Sequence, residues 1–254
     1  MEKITVKEMM KKEIEELESF QTSEEWINYL NIQKNLYNYS FNNCIILKSQ
    51  NPNVTKVASY KKWKQLGRTV KKGEKALRIY APIIGKAKKK ETKEETKEEE
   101  KDVLMGYVLV PVFDISQTEG EDIQDTVDTK GIVSDTIADV IEDITDVPII
   151  CTETKNTYVD DFGICISDNL EESRRYYEYI KGYSLYKAKD SSKEEGELIA
   201  ESVGYIVSSF FDLKTSPYIK NISFMKGDAK KIKEVGSKIQ KISKELINKF
   251  KENV

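Results

Sequence analysis

The 254-residue sequence contains no histidine, and this absence excludes more chemistry than any other feature of its composition. Catalysis by Ser-His or Cys-His pairs is excluded, and so is every zinc site that uses an imidazole ligand. Cysteine is also scarce. Cys44, Cys151 and Cys165 are an odd number without the paired spacing of a metal site, so we expect reduced thiols, although the last two could lie close together on a hairpin.

Long apolar runs are missing as well. No stretch approaches the roughly 20 apolar residues that a membrane-spanning helix needs, and the N-terminal residues are too charged for a signal peptide. Hydrophobic residues make up 39% of the chain and charged residues 33%, which is typical of a globular protein with a highly charged surface. We therefore expect no membrane partner and a cytoplasmic location.

The sequence does contain strongly segregated charge. Residues 26–86 carry twelve Lys or Arg and one acid, a net charge of +11, in a chain whose net charge is -3. Residues 103–150 carry eleven acids and one lysine, a net charge of -10. Because self-repulsion disfavours such blocks, the basic block predicts an anionic partner. Between the two blocks, the charged segment 86–102 predicts a solvated loop joining two strands, with a short exposed helix as the alternative.

The apolar spacing predicts an α+β fold of two domains, in which helices pack on small antiparallel sheets or hairpins. We place the domains at 1–128 and 129–254. The predicted helices span about 4–19, 23–37, 41–50, 60–66, 134–144, 170–187, 193–211 and 228–251. RTV and ALRIYAPII are predicted to form one hairpin, with VLMGYVLVPVF continuing it beyond the charged segment. VPIICTE and TYVDDFGICIS are predicted to form another.

The composition of the basic block suggests the chemistry of its partner. Lys and Arg neutralise phosphates, and aromatic rings among them can stack on unpaired bases, which favours a single strand over a duplex. The alternative is a solvated basic face without a ligand. For Trp63, the alternative to base stacking is a position in the apolar core. The candidate DNA-binding residues from this argument are Tyr60, Lys61, Trp63, Lys64, Arg68, Lys71, Lys72 and Lys75.

Residues 20–122 resemble the N-terminal single-stranded-DNA-binding domain of the ArdC antirestriction family. The motifs that carry the resemblance are YSFNN (39–43), WKQLGRTVKKGEKA (63–76) and VFDISQTEG (112–120). The resemblance adds Tyr39 and Asn43 to the candidate DNA-binding residues. Ala76 is a departure, since the family usually has a second glycine there.

The remainder of the chain resembles the zinc-metallopeptidase-like domain of the same family, but without its H-E-x-x-H motif. An ungapped alignment places Lys181 and Leu185 at the histidine positions and Gly182 at the general base. A shifted alignment places Tyr177 and Lys181 at the histidines and keeps Glu178. The resemblance therefore predicts a zincin-like frame without metal or cofactor, which is a pseudo-peptidase and not an enzyme.

The resemblance and the charge together predict a non-enzymatic, sequence-independent binder of single-stranded DNA from a mobile element or phage, which protects DNA or counters host defence. One alternative is an inhibitor that binds a host or element-encoded protein through the C-terminal domain. A weaker one is a nuclease that uses Mg²⁺ and the acids between Asp114 and Asp146.

Overall fold

The computed structural model describes residues 4–86, 102–123, 134–145, 147–213, 219 and 222–253. The interior of the predicted charged loop, at 87–101, lies outside the described residues. The predicted domain boundary at 128/129 lies outside them too. Among the described helices, none is both long and apolar enough to cross a membrane.

Three helices open the chain, as the sequence predicts. They are α1 (Val6–Glu18), α2 (Ser23–Asn35) and α3 (Phe41–Gln50). Thr22 and Glu25 form a capping box ahead of α2, in which each side chain accepts a hydrogen bond from the other residue's backbone amide. The Ser40 hydroxyl accepts from the Asn43 amide at the start of α3. These bonds satisfy amides that the first helical turn leaves unpaired.

Two small sheets follow the helices. The elements are β1 (Val57–Ala58), α4 (Tyr60–Gln65), β2 (Arg68–Val70), β3 (Leu77–Lys86), β4 (Asp102–Asp114), a 3₁₀ turn (Ile115–Gln117) and β5 (Thr118–Gly120). One sheet consists of β1, β4 and β3, with β4 in the middle, and the other consists of β2 and β5. All neighbours are antiparallel. The predicted continuation of β3 across the charged segment is confirmed. The predicted hairpin of RTV with ALRIYAPII is wrong, because β2 pairs with β5 instead.

The outer part of the β3–β4 ribbon is exposed on both faces. Its apolar side chains include Ile84, Leu104 and Met105, which are 53%, 51% and 73% exposed. At the inner end, the free edge of β3 is closed by amide side chains of α3. Gln50 and Asn43 exchange hydrogen bonds with the backbone of Arg78 and Tyr80 at 2.8–3.1 Å. The ribbon is therefore anchored at one end only.

The second part of the chain is mostly helical. Its elements are α5 (Ser134–Ile144), β6 (Ile149–Thr152), β7 (Tyr158–Val159), β8 (Ile164–Ser167), α6 (Glu172–Lys187), α7 (Lys193–Phe210), a 3₁₀ turn (Ser223–Met225) and α8 (Ala229–Glu252). The predicted hairpin of VPIICTE with TYVDDFGICIS is wrong. β7 and β8 form the hairpin, and β6 runs parallel to β8 on its other edge. Cys151 is exposed, Cys165 is buried, and both are free thiols.

The two parts share one continuous apolar core, which joins side chains of α2 and α3 to those of α7 and α8. Polar contacts cross the same boundary. The buried Trp26 indole donates to the Ser202 hydroxyl at 3.0 Å, and the Lys233 ammonium lies 3.0 Å from the Glu13 carboxylate. Each part therefore buries apolar surface of the other.

Candidate nucleic-acid interface

Helix α4 separates a buried face from a basic one. It begins after Ser59, whose hydroxyl accepts from the Lys62 amide at 3.2 Å. Tyr60, at the first helical position, is 55% exposed, and Lys61 and Lys64 are exposed one turn apart. On the opposite face Trp63 is 2% exposed, and its indole N–H donates to the Phe113 carbonyl at 2.8 Å. The helix therefore presents one tyrosine and its lysines to solvent.

The turn after β2 carries the other exposed lysines. Lys71, Lys72 and Lys75 are exposed, and the Glu74 amide closes the turn by donating to the Lys71 carbonyl at 3.3 Å. Gly73 has a φ of 92°, which residues other than glycine rarely adopt. The third position of a type II turn requires such a positive φ. Ala76, where the family usually has a glycine, does not have a positive φ and so needs no glycine. Among the described non-glycine residues, Asp212 is the one with positive φ.

Gln117 fixes this turn in place. Its side-chain amide donates to the Lys75 carbonyl at 2.8 Å and to the Glu74 carboxylate at 2.9 Å. Its backbone carbonyl accepts from the Lys71 amide at 3.0 Å. The lysines of the turn are therefore presented by a braced backbone. Sequence reasoning assigned no role to Gln117, although it lies within the VFDISQTEG motif.

The buried Asp114 in turn holds Gln117. Its carboxylate accepts from the amides of Thr55 and Ser116 at 2.8 and 2.9 Å, and its own amide donates to the Gln117 side chain at 2.9 Å. Asp114 has no exposed surface. A carboxylate that is buried and bonded in this way supports the backbone and is not accessible to a metal ion from solvent. Asp114 is therefore a poor candidate for the metal ligand that the nuclease alternative needs.

Three of the candidate DNA-binding residues lie inside the fold, so little of each side chain is accessible to DNA. The Arg68 guanidinium is buried, where it donates to the Thr118 hydroxyl at 2.8 Å and to the Gly120 carbonyl at 3.2 Å. Asn43 is bonded to the β3 backbone, as described above. Trp63 is a core residue with no ring face left for a base. Arginine, amide and indole groups serve the fold here because each satisfies backbone carbonyls at a strand edge or end.

Tyr39 is half-buried. Its hydroxyl donates to the Val57 carbonyl at 2.8 Å, and burial raises the pKa of its phenol above the ordinary value. The six remaining candidates all reach solvent on α4 and the adjacent turn. We call this set the basic face, and it consists of Tyr60, Lys61, Lys64, Lys71, Lys72 and Lys75.

The positions that would carry a metal in a zincin-like frame do not suit one. Glu178 is buried, and its carboxylate accepts from the Thr157 hydroxyl at 2.5 Å and lies 3.5 Å from the Arg174 guanidinium. Burial raises the pKa of the neighbouring Tyr177 phenol, which disfavours the phenolate that a metal would need. A side chain at Gly182 would collide with Ile164. These groups line or adjoin a polar cleft of about 470 Å³.

No group of three or more Cys, Asp or Glu side chains is arranged to hold a metal anywhere in the described ranges. A catalytic zinc usually needs three protein ligands and an open water position. Glu178 supplies one carboxylate, and this group already pairs with the Arg174 guanidinium. The residues present therefore do not fit the metal that the frame implies.

Comparison with known proteins gives one family match. Residues 3–113 match the family model described as the N-terminal domain of anti-restriction factor ArdC. The N-terminal part of the chain is therefore similar to the N-terminal domain of ArdC. The predicted resemblance and the predicted α+β fold are thus confirmed. No curated protein sequence matches the chain.

Two solved structures of the antirestriction ArdC protein from R388 plasmid resemble this chain. The Mn(II)-bound structure is 18% identical, with a TM-score of 0.50, and the match covers 89% of this chain and 97% of that one. The metal-free structure is 15% identical, with a TM-score of 0.49, and the match covers 85% of each chain. At these identities the likeness concerns the fold alone.

The altered metal positions give a first prediction. We expect Mn²⁺ or Zn²⁺ to leave the melting temperature of the protein unchanged, because a ligand stabilises a fold only when it binds the native state. Elemental analysis should find no stoichiometric metal after purification. About one metal per chain, together with a melting temperature that falls on chelation, would show that the site still binds metal. Glu178→Gln serves as the control, since it should abolish any such shift.

Proposed function

We propose that this protein binds single-stranded DNA without strong sequence preference and, through this binding, counters restriction of the DNA of a mobile element or phage. The match to the N-terminal domain of an anti-restriction factor supports the biological setting. The basic face supports the ligand. We further propose that the protein catalyses no reaction and acts by binding alone.

The observation that carries this proposal is the exposed Tyr60 among lysines on a braced surface. Stacking of one base on an aromatic ring contributes about 1–3 kcal/mol and does not depend on the identity of the base. Lysines contact phosphates equally without regard to sequence. Together they favour a strand whose bases are unpaired.

The shape of the basic face favours a single strand over a duplex. Proteins that read duplex DNA commonly place a regular helix in the major groove. Helix α4 has six residues, so it extends for only about 9 Å. The exposed residue at its first position, Tyr60, carries an aromatic ring. Bases that are already stacked in a duplex cannot stack on this ring.

The proposed absence of catalysis is supported by the same residues that oppose metal binding. The chain contains no histidine, and the carboxylate of Glu178 is engaged by Thr157 and Arg174. A peptidase needs an activated water and a base positioned beside it. The engagement of Glu178 supports the proposal that this carboxylate does not act as the base.

Fluorescence anisotropy of labelled oligonucleotides with the full chain tests the proposal. We expect a single strand of roughly 16 nucleotides, the upper end of common site sizes, to bind more tightly than its duplex. Single strands of different sequence should bind alike, and affinity should fall steeply between about 50 and 200 mM salt. Equal affinity for duplex and single strand, or no binding at low salt, would refute the proposal.

A further inference from the structure

A second basic depression lies away from the basic face, between helix α8 and the loop that joins α2 to α3. It has a volume of about 700 Å³. We call it the α8 groove and define it by Asn38 and Ser40 on the loop side and Lys241, Lys244 and Asn248 on α8. Lys187 and Glu245 also line it, but they form an ion pair at 3.3 Å and so contribute no net charge. The groove therefore has a net charge of +2.

Helix α8 is strongly basic, yet most of its lysines serve the fold. Residues 229–252 contain eight lysines and three glutamates, a net charge of +5. The Lys231 and Lys238 ammonium groups lie 2.6 and 2.7 Å from the buried Glu195 carboxylate. Burial of Glu195 acts to raise its pKa, but the two lysine hydrogen bonds outweigh this effect and hold the pKa below its ordinary value.

Other lysines of α8 are also engaged. Lys233 pairs with Glu13, Lys249 pairs with Glu252, and Lys251 donates to the Tyr37 hydroxyl at 2.9 Å. Lys241 and Lys244 differ from these. Neither has an ion pair or side-chain hydrogen bond with any residue in the described part of the chain. Both cations of the groove are thus available to an external anion.

The α8 groove adjoins a smaller hollow on the side of β1. This hollow of about 170 Å³ is lined in part by Asn38, Tyr39 and Lys56, and it shares Asn38 with the groove. The Tyr39 hydroxyl donates to the Val57 carbonyl in β1. Tyr60 of the basic face follows Val57 by three residues, a distance of at most about 11 Å along an extended chain. The groove and the basic face are thus connected through the residues of one hollow and one short strand.

We propose that the α8 groove binds phosphates of the same single strand that contacts the basic face. Lys241 and Lys244 would neutralise the backbone, while Asn38 and Asn248 offer amide groups to phosphate or base. This inference rests on the proposed function. It extends the DNA-binding surface beyond residues 3–113, the part that matches the ArdC N-terminal domain, onto the last helix of the chain.

The test is the double variant Lys241→Glu/Lys244→Glu in the full chain, compared with the native protein. Each phosphate contact of a single strand contributes about -0.7 to the slope of log affinity against log salt, so loss of two contacts should flatten the slope by about 1.4. Between about 50 and 200 mM salt, the native protein should lose about sevenfold more affinity than the variant. The probe is a roughly 16-nucleotide single strand measured by anisotropy.

The matched control is Lys226→Glu/Lys230→Glu, which makes the same change of charge at two exposed lysines outside the groove. It should leave the slope close to native. Equal slopes for the groove variant and the native protein would overturn the inference while leaving the proposed function intact. Equal flattening by the control would overturn it too, since the effect would then be one of net charge. If the native protein binds no single strand, the proposed function itself fails.

Thermal melting establishes that each variant is folded. Lys241→Gln/Lys244→Gln provides a second pair with a smaller change of charge, in case the reversed charges disturb α8. We expect this pair to flatten the slope in the same direction, because the contacts are lost whether or not a repulsive charge replaces them. An unchanged slope with folded Gln variants would count against the groove.

Discussion

Reversing the charges of Lys61, Lys64, Lys72 and Lys75 should remove most of the affinity for single-stranded DNA. If each lysine contacts one phosphate, four lost contacts flatten the slope of log affinity against log salt by about 2.8. The fall in affinity between about 50 and 200 mM salt should then be about fiftyfold smaller than in the native protein. Stability should change little, since exposed charges rarely contribute more than about 1 kcal/mol. Anisotropy titrations at several salt concentrations provide the measurement.

The matched control reverses four exposed lysines elsewhere on the surface, namely Lys7, Lys12, Lys193 and Lys226. This control makes the same change in net charge without touching the basic face. Native-like binding by the control and weak binding by the test variant would locate the site on α4 and its adjacent turn. Equal losses would show that the affinity depends on net charge and would refute this location.

The helices could be predicted because their signals are local. Thr22 and Glu25 are three residues apart, and the hydrogen bonds that they form at the start of α2 involve only that turn. The apolar residues of α8, such as Ile232 and Ile239, recur at helical spacing and are fully buried. Neither argument requires knowledge of a distant partner.

Strand pairing could not be predicted in the same way. The predicted partner of β2 was the nearest strand along the chain, whereas its partner β5 follows about fifty residues later. The Arg68 guanidinium fixes this pairing through Thr118 and Gly120. For β8, the adjacent hairpin strand β7 takes one edge, which leaves the other edge for β6 in a parallel arrangement. Local propensity identifies strands but contains no information on such long-range choices.

Burial within the candidate site was predictable only in part. Lysines on a short polar helix and a glycine turn are exposed in almost any fold, and the structure places them so. Trp63 was open to two interpretations, because a helix of six residues has too little apolar periodicity to define its inner face. The Phe113 carbonyl that decides its orientation comes from β4. The α8 groove had no sequence signal, since nothing in the sequence separates Lys241 and Lys244 from lysines of α8 that pair with a distant carboxylate, such as Lys231.

Trp63 and Tyr60 should respond to substitution in opposite ways. Trp63→Ala should lower the free energy of unfolding by about 3–5 kcal/mol, because it leaves a large cavity in the core and removes the donor to the Phe113 carbonyl. Tyr60→Ala should change stability by no more than about 0.5 kcal/mol, as expected for an exposed residue. It should instead weaken binding of single-stranded DNA by about 1–3 kcal/mol. Urea denaturation and anisotropy titration measure the two effects.

Tyr60→Phe separates stacking from hydrogen bonding. The phenyl ring keeps the stacking surface and lacks the hydroxyl, so we expect this variant to bind single strands like the native protein. Native-like binding by Tyr60→Ala would show that no base stacks on this ring. A stability loss for Trp63→Ala that stays below about 1 kcal/mol would contradict its core position, because truncation of a buried aromatic residue costs several times more. The three variants together test whether one short helix carries a base platform at Tyr60 and a core anchor at Trp63.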